Sequence, residues 1–192
     1  KLTARALRAL GASIEEQPGR MIVRGSGGKF AGRGTTTLDL DNSGTSLRLL
    51  TTPGLLCRHP VVLTGSARMQ ERPIGPLAQA LGSLGGTVSF LKKDGFPPIR
   101  VSGRLEGGPV TIDGSVSSQF ISSILMAAPY AEREVEVTVK KPPASASYLD
   151  ITADVMEAFG SRLRRTGYER FSVSTDARYR GRTYTVEGDY SS

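Results

Sequence analysis

Apolar residues recur with a helical spacing in three stretches of the chain, and a pattern typical of two short strands follows each stretch. In the last of them Ile151, Val155 and Phe159 are each four residues apart, which places them on one face of a helix. We expect this face to be buried in the core. The segment Phe171-Ser172-Val173 then alternates apolar and polar side chains, as a strand with one buried face does. The pattern predicts three modules, each a helix, a strand, a turn and a second strand.

The three modules follow one plan. Each predicted helix ends on a large apolar residue followed by glycine, which readily takes the left-handed conformation that ends many helices. Successive pairs lie 74 and 75 residues apart and are Leu10-Gly11, Leu84-Gly85 and Phe159-Gly160. This period is too long for a typical solenoid repeat. It predicts one domain with internal pseudo-threefold symmetry.

A second element recurs at nearly the same interval and consists of a strand, a small acidic turn and the start of a helix. Its copies are TLDLDNSGTSLRLL, PVTIDGSVSSQFISSILM and YTVEGDYSS. The third copy stops at Ser192, where the other two begin a helix, and Lys1 stands inside a helical pattern without a cap. We therefore expect a longer parent chain with further segments before Lys1 and after Ser192.

The composition is that of a soluble globular domain. The chain has 192 residues, of which 38% are hydrophobic and 22% are charged. It has no run close to the roughly 20 apolar residues of a membrane helix and no signal-peptide pattern at its start. We expect a cytoplasmic protein without a membrane partner.

The formal net charge of +7 favours a negatively charged ligand. Both nucleic acids and small anions such as phosphates attract a basic protein. Nucleic-acid-binding surfaces often combine clustered cations with aromatic residues, but here the cations are scattered and Trp is absent. Small anions are therefore favoured over nucleic acid. The single histidine, His59, and the single cysteine, Cys57, do not form a usual metal-ligand set, so we expect no metal site.

Two turns of the second repeated element are candidate anion sites. Asp41-Asn42-Ser43-Gly44-Thr45-Ser46 and Ser115-Val116-Ser117-Ser118-Gln119-Phe120 each come where a strand ends and a helix is predicted to begin. A helix N-terminus offers free N–H groups and the positive end of the helix dipole to an anion. The alternative is that these serines only cap their helices.

Two other loops carry candidate binding residues. Arg68 and Arg72 flank a loop before a helix whose first residue we expect to be Pro73, and arginine matches carboxylate or phosphate with a forked pair of donors. The alternative is a surface loop in which an arginine pairs with Glu71. Tyr148 follows a proline-containing loop, where it can contact a ring or simply pack. The sequence has no Ser/His/Asp set, Walker loop or dinucleotide fingerprint.

Taken together, five segments resemble the 5-enolpyruvylshikimate-3-phosphate synthase family. They are NSGTSLR, LTGSARMQERPIGPL, DGSVSSQF, SYLDIT and VEGDYSS, in the family's order along almost the whole chain. The resemblance implies transfer of the enolpyruvyl group of phosphoenolpyruvate to the 5-hydroxyl of shikimate 3-phosphate, with release of phosphate and without a cofactor. It also implies an α/β (α+β) fold of two similar domains, each built from three βαβαββ units with helices inside and sheets outside. Residues 1–192 then form one domain, VEGDYSS is the hinge, and the substrates lie between the domains.

The family's substrate-binding positions carry over residue by residue. The resemblance assigns phosphoenolpyruvate to Gly44, Thr45, Arg72 and Gln119. It assigns shikimate 3-phosphate to Ser117, Ser118, Gln119, Ser145 and Tyr148. Arg48 matches an arginine that we expect to be structural. The family's proton-transfer groups belong to the second domain, so no catalytic residue is assigned here and these 192 residues alone are expected to turn over negligibly.

Two positions depart from the family pattern. Leu49 stands where the family usually has proline, on the helix that positions Gly44 and Thr45, so it bears on the affinity for phosphoenolpyruvate and for the family inhibitor glyphosate. Ala146 stands where the family usually has a loop lysine. The nearest alternative is the related enzyme that acts on UDP-N-acetylglucosamine. That enzyme often has a cysteine in the loop that here reads Arg68-Met69-Gln70-Glu71-Arg72, which contains none.

Overall fold

The computed structural model describes residues 1–30 and 34–187. Its α-helices are α1 (Leu2–Ala9), α2 (Gly44–Thr51), α3 (Gly75–Ser83), α4 (Ser118–Ala127) and α5 (Ser147–Ala158). Its strands are β1 (Ser13–Gln17), β2 (Arg20–Arg24), β3 (Thr36–Asp39), β4 (Val61–Thr64), β5 (Gly86–Phe90), β6 (Ile99–Gly103), β7 (Gly108–Ile112), β8 (Val135–Val139), β9 (Leu163–Thr166) and β10 (Arg170–Val173). Short 3₁₀ helices occupy Thr52–Leu56, Met69–Glu71 and Ala128–Tyr130.

Two four-stranded sheets give the fold its repeated units. Their strand orders are β3-β4-β6-β5 and β7-β8-β10-β9, and in each sheet the first pair is parallel while the other pairs are antiparallel. A parallel pair needs a crossover connection, which α2 and α4 supply. Each sheet with its two helices is therefore one βαβαββ unit. The mixed α/β repeat predicted from the sequence is confirmed for these two units.

The helices lie inside and the sheets outside, as expected. Strand β8 shows why, because Val135 and Val137 are buried against the core while Glu136 and Thr138 face solvent. Helix α4 is buried on nearly all sides, and Phe120 near its start has no exposed surface. Each large apolar side chain that is fully buried stabilises the fold by about 1.5–3 kcal/mol. Apolar residues of both sheets and all five α-helices in the described part of the chain share one core.

A glycine in the left-handed conformation follows each of α1, α3 and α5. The φ angles of Gly11, Gly85 and Gly160 are 97°, 91° and 88°. A residue with a Cβ is strained in this region, whereas glycine is not. The three helix ends predicted from the repeated apolar–glycine pairs are therefore confirmed.

The apolar face of α5 is not buried in the core, contrary to the prediction. Ile151 is 57% exposed, and with Val155 and Phe159 it lines an open apolar groove. The buried residues of α5 are Leu149, Ala153 and Met156. Helical spacing shows which residues share a face of the helix, but that face is buried only where another segment packs against it. In residues 1–30 and 34–187 no further helix covers this face.

Only parts of a third unit lie among the described residues. Strands β1 and β2 form a two-stranded sheet in which Met21 and Val23 are 53% and 55% exposed. The strand expected over residues 184–187 does not form, and Val186 there is 82% exposed. In both complete units the first strand pairs only with the strand after the next helix, and the described residues contain no such partner for residues 184–187. The rest of the VEGDYSS motif, residues 188–192, lies outside the described residues.

Helix α3 begins two residues later than predicted. Its first residue is Gly75, Pro76 lies in its first turn, and Pro73 belongs to the preceding loop. The N–H groups of Ile74 and Gly75 both donate to the carbonyl of Gly95, which holds the chain in place before the helix. No helix in the described part of the chain is both long and apolar enough to cross a bilayer.

Candidate functional site

The N-terminal ends of α2 and α4 meet at one end of the domain. Gln119 Nε2 donates to Thr45 Oγ1 at 2.9 Å, and Ser123 Oγ donates to the carbonyl oxygen of Leu49 at 3.3 Å. The members of each pair are 74 residues apart, so equivalent positions of the two units touch. The two contacts are one turn apart on both helices, which therefore run in the same direction and begin on the same side.

Helix α5 runs alongside α4. The hydroxyls of Ser122 and Thr152 are 2.8 Å apart, and one turn further along each helix Met126 and Met156 line the same apolar groove. The two helices therefore run in the same direction. Three helix N-termini, those of α2, α4 and α5, face one side of the domain.

The loop before α2 aims free backbone donors at this side. Asp39 Oδ1 accepts from the N–H of Asp41 at 2.9 Å, and Asp41 itself has a φ of 47°, which turns the chain sharply. Ser43 caps the helix by accepting from the N–H of Ser46 at 3.3 Å. The N–H of Thr45 has no protein acceptor within the described residues. Unpaired N–H groups of this kind are what a helix N-terminus offers to an anion.

Arg72 comes to this helix end from the neighbouring loop. The N–H of Ser66 donates to the carbonyl of Asp41 at 2.9 Å, and Gly65 is needed beside it because a Cβ there would collide with the same carbonyl. Arg72 Nη2 then donates to Asn42 Oδ1 at 3.4 Å. Its guanidinium lies so close to Gly44 that a Cβ on that glycine would collide with Nη1. The missing side chain of Gly44 therefore makes room for the arginine.

The loop before α4 repeats the aspartate turn and the serine cap with different side chains around them. Asp113 Oδ1 accepts from the N–H of Ser115 at 2.9 Å, and Lys141 Nζ forms a 2.7 Å ion pair with Asp113 Oδ2. The hydrogen bond from Lys141, helped by those from Ser115, lowers the pKa of Asp113 to about 2. Ser117 caps α4 by accepting from the N–H of Gln119. Ser118 is 3% exposed, and within the described part of the chain its N–H has no protein acceptor.

Positive charge accumulates where α2 and α4 meet. Arg48 Nη1 donates to Gln119 Oε1 at 3.0 Å, and its guanidinium lies 5.4 Å from the ring centre of Phe120. Burial, followed by the nearby charge of Arg72, lowers the pKa of Arg48. Within residues 1–30 and 34–187 neither arginine forms an ion pair. Two cations without a carboxylate partner suit an anionic ligand.

The structure brings most of the predicted residues together. The helix-end site comprises Gly44, Thr45, Arg72, Ser117, Ser118 and Gln119, with Arg48 behind them. Tyr148 lies on the same side but is 59% exposed, and Ser145 is exposed in the loop before α5. Within the described residues neither of these two side chains hydrogen-bonds to the helix-end site.

The described residues contain no group of three or more His, Cys, Asp and Glu side chains placed to hold a metal ion. The helix-end site is built from cations, hydroxyls, an amide and backbone N–H groups. This donor set suits an oxygen-rich anion, because every one of these groups can donate a hydrogen bond.

Comparison with known proteins agrees with this donor set. The sequence model of EPSP synthase (3-phosphoshikimate 1-carboxyvinyltransferase) matches residues 1–192, the entire chain. The chain belongs to the EPSP synthase family. It is 62% identical over its whole length to the 3-phosphoshikimate 1-carboxyvinyltransferase of Methanoculleus marisnigri and 58% identical to that of Methanoregula boonei. It spans 46% of the length of each of these relatives.

A solved EPSP synthase supports the fold of the family member described here. The enzyme from Acinetobacter baumannii superposes on 90% of the chain with a TM-score of 0.76 at 29% sequence identity, and the match takes in 38% of that enzyme. The predicted family and fold class are therefore confirmed. Like the curated relatives, this EPSP synthase is more than twice as long as the part that matches.

One member of the site was not singled out as functional from the sequence. Arg48 was expected to be structural, yet it holds the amide of Gln119, 71 residues away in another unit of the EPSP synthase fold. A signal was available in the spacing, because Thr45 and Arg48 are three residues apart and share a helix face. Since Thr45 is the repeat equivalent of Gln119, that face of α2 meets α4.

Proposed function

We propose that the protein containing this chain transfers the enolpyruvyl group of phosphoenolpyruvate to the 5-hydroxyl of shikimate 3-phosphate, with release of phosphate. The observation that carries the proposal is the helix-end site, where two helix N-termini, Arg72 and the bridging Gln119 converge without a carboxylate partner. The names of the relatives support the same reaction. The chain spans less than half of their length, so the activity is proposed for the intact protein.

The phosphoenolpyruvate subsite is proposed at the start of α2. Arg72 offers a forked donor beside Gly44, where no side chain stands in the way. Thr45 adds a free N–H and a hydroxyl, and Gln119 adds an amide donor from α4. Phosphoenolpyruvate carries a carboxylate and a phosphate, and charge-assisted bonds to such groups are about twice as strong as neutral ones.

The shikimate 3-phosphate subsite is proposed at the starts of α4 and α5. Ser117 and Ser118 supply hydroxyls next to the free N–H of Ser118, and Gln119 supplies its amide. Ser145 and Tyr148 complete the subsite from the edge of α5, where both are exposed to an incoming ligand. Neutral donors of this kind fit the hydroxyls of a polyol ring together with a phosphate.

The chemistry is addition followed by elimination. The 5-hydroxyl oxygen bonds to the enol carbon of phosphoenolpyruvate, the hydroxyl gives up its proton and the methylene carbon takes one up, which gives a tetrahedral intermediate. Loss of phosphate together with one proton of the new methyl group then restores the double bond. The role of the helix-end site is to bind and orient the two anions. The groups that move protons are proposed to come from a second domain, and no metal or organic cofactor is proposed.

An apolar groove supports the proposal that further parts of the same protein pack on this chain. The groove has a volume of about 570 Å³ and lies between α1, β2, α4 and α5. Leu7, Val23, Met126, Ile151 and Val155 are among its lining residues. In the described residues the third unit has no helix equivalent to α2 and α4 that could cover this groove. We propose an N-terminal segment in the groove and a second domain across the helix-end site as the partners of residues 1–192, all within one cytoplasmic protein that binds neither membranes nor nucleic acid.

Calorimetric titration of the intact protein with shikimate 3-phosphate tests the proposal. We expect saturable binding that is lost in the double variant Ser118→Ala/Gln119→Ala and kept in Ser89→Ala, a matched serine exposed on β5. UDP-N-acetylglucosamine serves as the control ligand, and binding of that nucleotide sugar alone would overturn the proposal. The same titration on residues 1–192 separates the subsite from its partners, because binding only by the intact protein means that the additional segments complete the site.

A further inference from the structure

The amide of Gln119 is held from both sides by α2. Its Oε1 accepts from Arg48 Nη1 at 3.0 Å, and its Nε2 donates to Thr45 Oγ1 at 2.9 Å. A guanidinium has donors only, so the oxygen of the amide must face Arg48 and the nitrogen must face Thr45. The orientation of this amide therefore follows from the chemistry of its neighbour.

This orientation fixes which atoms donate and which accept in the hydrogen bonds that join Arg48, Gln119 and Thr45. Thr45 Oγ1 accepts from Gln119, so its own hydrogen is free to point away from the amide. Gln119 Nε2 has a second hydrogen, which takes no part in the bond to Thr45. Both groups therefore keep a hydrogen available for a substrate at the helix-end site.

Arg48 is well placed to maintain this arrangement. It lies one turn after Thr45 on α2, its guanidinium stacks near Phe120 at 5.4 Å, and it has no ion-pair partner within the described residues. Its one side-chain hydrogen bond there is to Gln119. No carboxylate in the described residues draws Arg48 away from the amide.

We propose that Arg48 is a positioning residue that fixes the direction of the Arg48–Gln119–Thr45 network, so that donors rather than lone pairs face an anionic substrate. The inference rests on the proposed function. Without the guanidinium the amide is free to turn over, its oxygen then accepts from the Thr45 hydroxyl, and a donor to the substrate is replaced by an acceptor that repels it. Arg48 thereby acts on the substrates through Gln119.

Steady-state kinetics of the intact protein with phosphoenolpyruvate and shikimate 3-phosphate test this role. Arg48→Met keeps an apolar stem over Phe120 but removes the donors, and we expect kcat/KM to fall about 10- to 100-fold, as for loss of a hydrogen bond to a charged group. Arg48→Lys keeps a donor and a charge and should recover most of the loss. Arg48→Met combined with Gln119→Ala should be no worse than Gln119→Ala alone. Arg104→Met, at an exposed arginine outside the site, is the matched control and should leave kcat/KM unchanged.

Two outcomes of these measurements would overturn the proposal. One is a fall in thermal stability for Arg48→Met with unchanged kcat/KM, which marks a structural residue. The other is a full additive loss in the double variant, which shows that Arg48 acts independently of Gln119. If the unmodified protein releases no phosphate, the proposed function fails, but NMR of the ¹⁵N-labelled Gln119 side chain still decides the inference. Arg48→Met must shift the two Nε2 proton signals, and unchanged signals contradict a role in orienting the amide.

Discussion

The starts of α2 and α4 are two copies of one strand–turn–helix element, but they carry different side chains. Asp39 and Asp113 accept from backbone N–H groups two residues on, both at 2.9 Å, and Ser43 and Ser117 each cap the helix that follows. The members of each pair are 74 residues apart. The two helix ends thus share an aspartate turn and a serine cap, although Ser43 accepts from the N–H three residues on and Ser117 from the N–H two residues on.

The side chains at the two helix ends differ, and this difference supports the proposal of two distinct subsites. Gly44 leaves space for Arg72, whereas its equivalent Ser118 contributes a hydroxyl. The position 74 residues after Arg72 is Ala146, so the second helix end has no arginine at the position equivalent to Arg72. The two helix ends proposed to bind anions are thus distinguished by one glycine, one arginine and one amide that joins the two units.

The largest expected effect is the conversion of Gly44 to alanine. The new Cβ collides with the far end of Arg72, which has to move away from the helix N-terminus. Loss of a charge-assisted hydrogen bond costs about 1.5–3 kcal/mol, so we expect KM for phosphoenolpyruvate to rise about 10- to 100-fold. Thermal stability should change little because alanine is a good helix former. Steady-state kinetics of the intact protein measure the effect.

The equivalent change on α4 provides the control for this comparison. Ser118→Ala leaves Arg72 in place, so it should weaken shikimate 3-phosphate and leave KM for phosphoenolpyruvate within about threefold. Equal effects of Gly44→Ala and Ser118→Ala on both substrates would contradict two distinct subsites.

Local backbone features were predicted well from the sequence, whereas contacts between distant segments were predicted poorly. The helix end at Phe159-Gly160 needs a residue that readily takes the left-handed conformation, which glycine does in any surroundings. This prediction is confirmed. The burial of Ile151 depends on a helix packed against it, so periodicity alone gave the wrong answer. The contact between Arg48 and Gln119 joins two units. The spacing of Thr45 and Arg48 shows that they share a helix face, but it does not show that α4 lies against that face. The substrate contacts stay predictions for every assigned residue, namely Gly44, Thr45, Arg72, Ser117, Ser118, Gln119, Ser145 and Tyr148.

A smaller effect is expected from the two capping serines. Ser43→Ala and Ser117→Ala each leave one helix N–H without its side-chain acceptor, and loss of such a cap typically costs about 1 kcal/mol. We expect both variants to lose stability by this amount in urea unfolding of the intact protein, because each serine accepts one 3.3 Å bond from an N–H of its helix. Ser89→Ala on the outer face is the control. A loss at only one of the two caps would show that the two serines do not stabilise their helices equally.

The smallest expected effect is a pH dependence that belongs to α4 alone. Lys141 Nζ is 2.7 Å from Asp113 Oδ2, whereas the residue 74 positions earlier than this lysine is Ala67. The pKa of Asp113 is lowered from 3.8 to about 2. Because the pKa is lower in the folded state, the stability that this carboxylate contributes is present above pH 3.8 and is lost as the pH falls towards 2.

Thermal unfolding between pH 5 and pH 2 measures this contribution, with about 0.1 M salt compared with about 1 M. Asp113→Asn and Lys141→Ala should each flatten the fall in melting temperature over this range at low salt, and the double variant should flatten it no further. The difference should shrink at high salt because the pair is exposed and screened. Lys141→Ala makes the second loop resemble the first, so an unchanged pH profile in that variant would mean that the lysine does not distinguish the two helix ends.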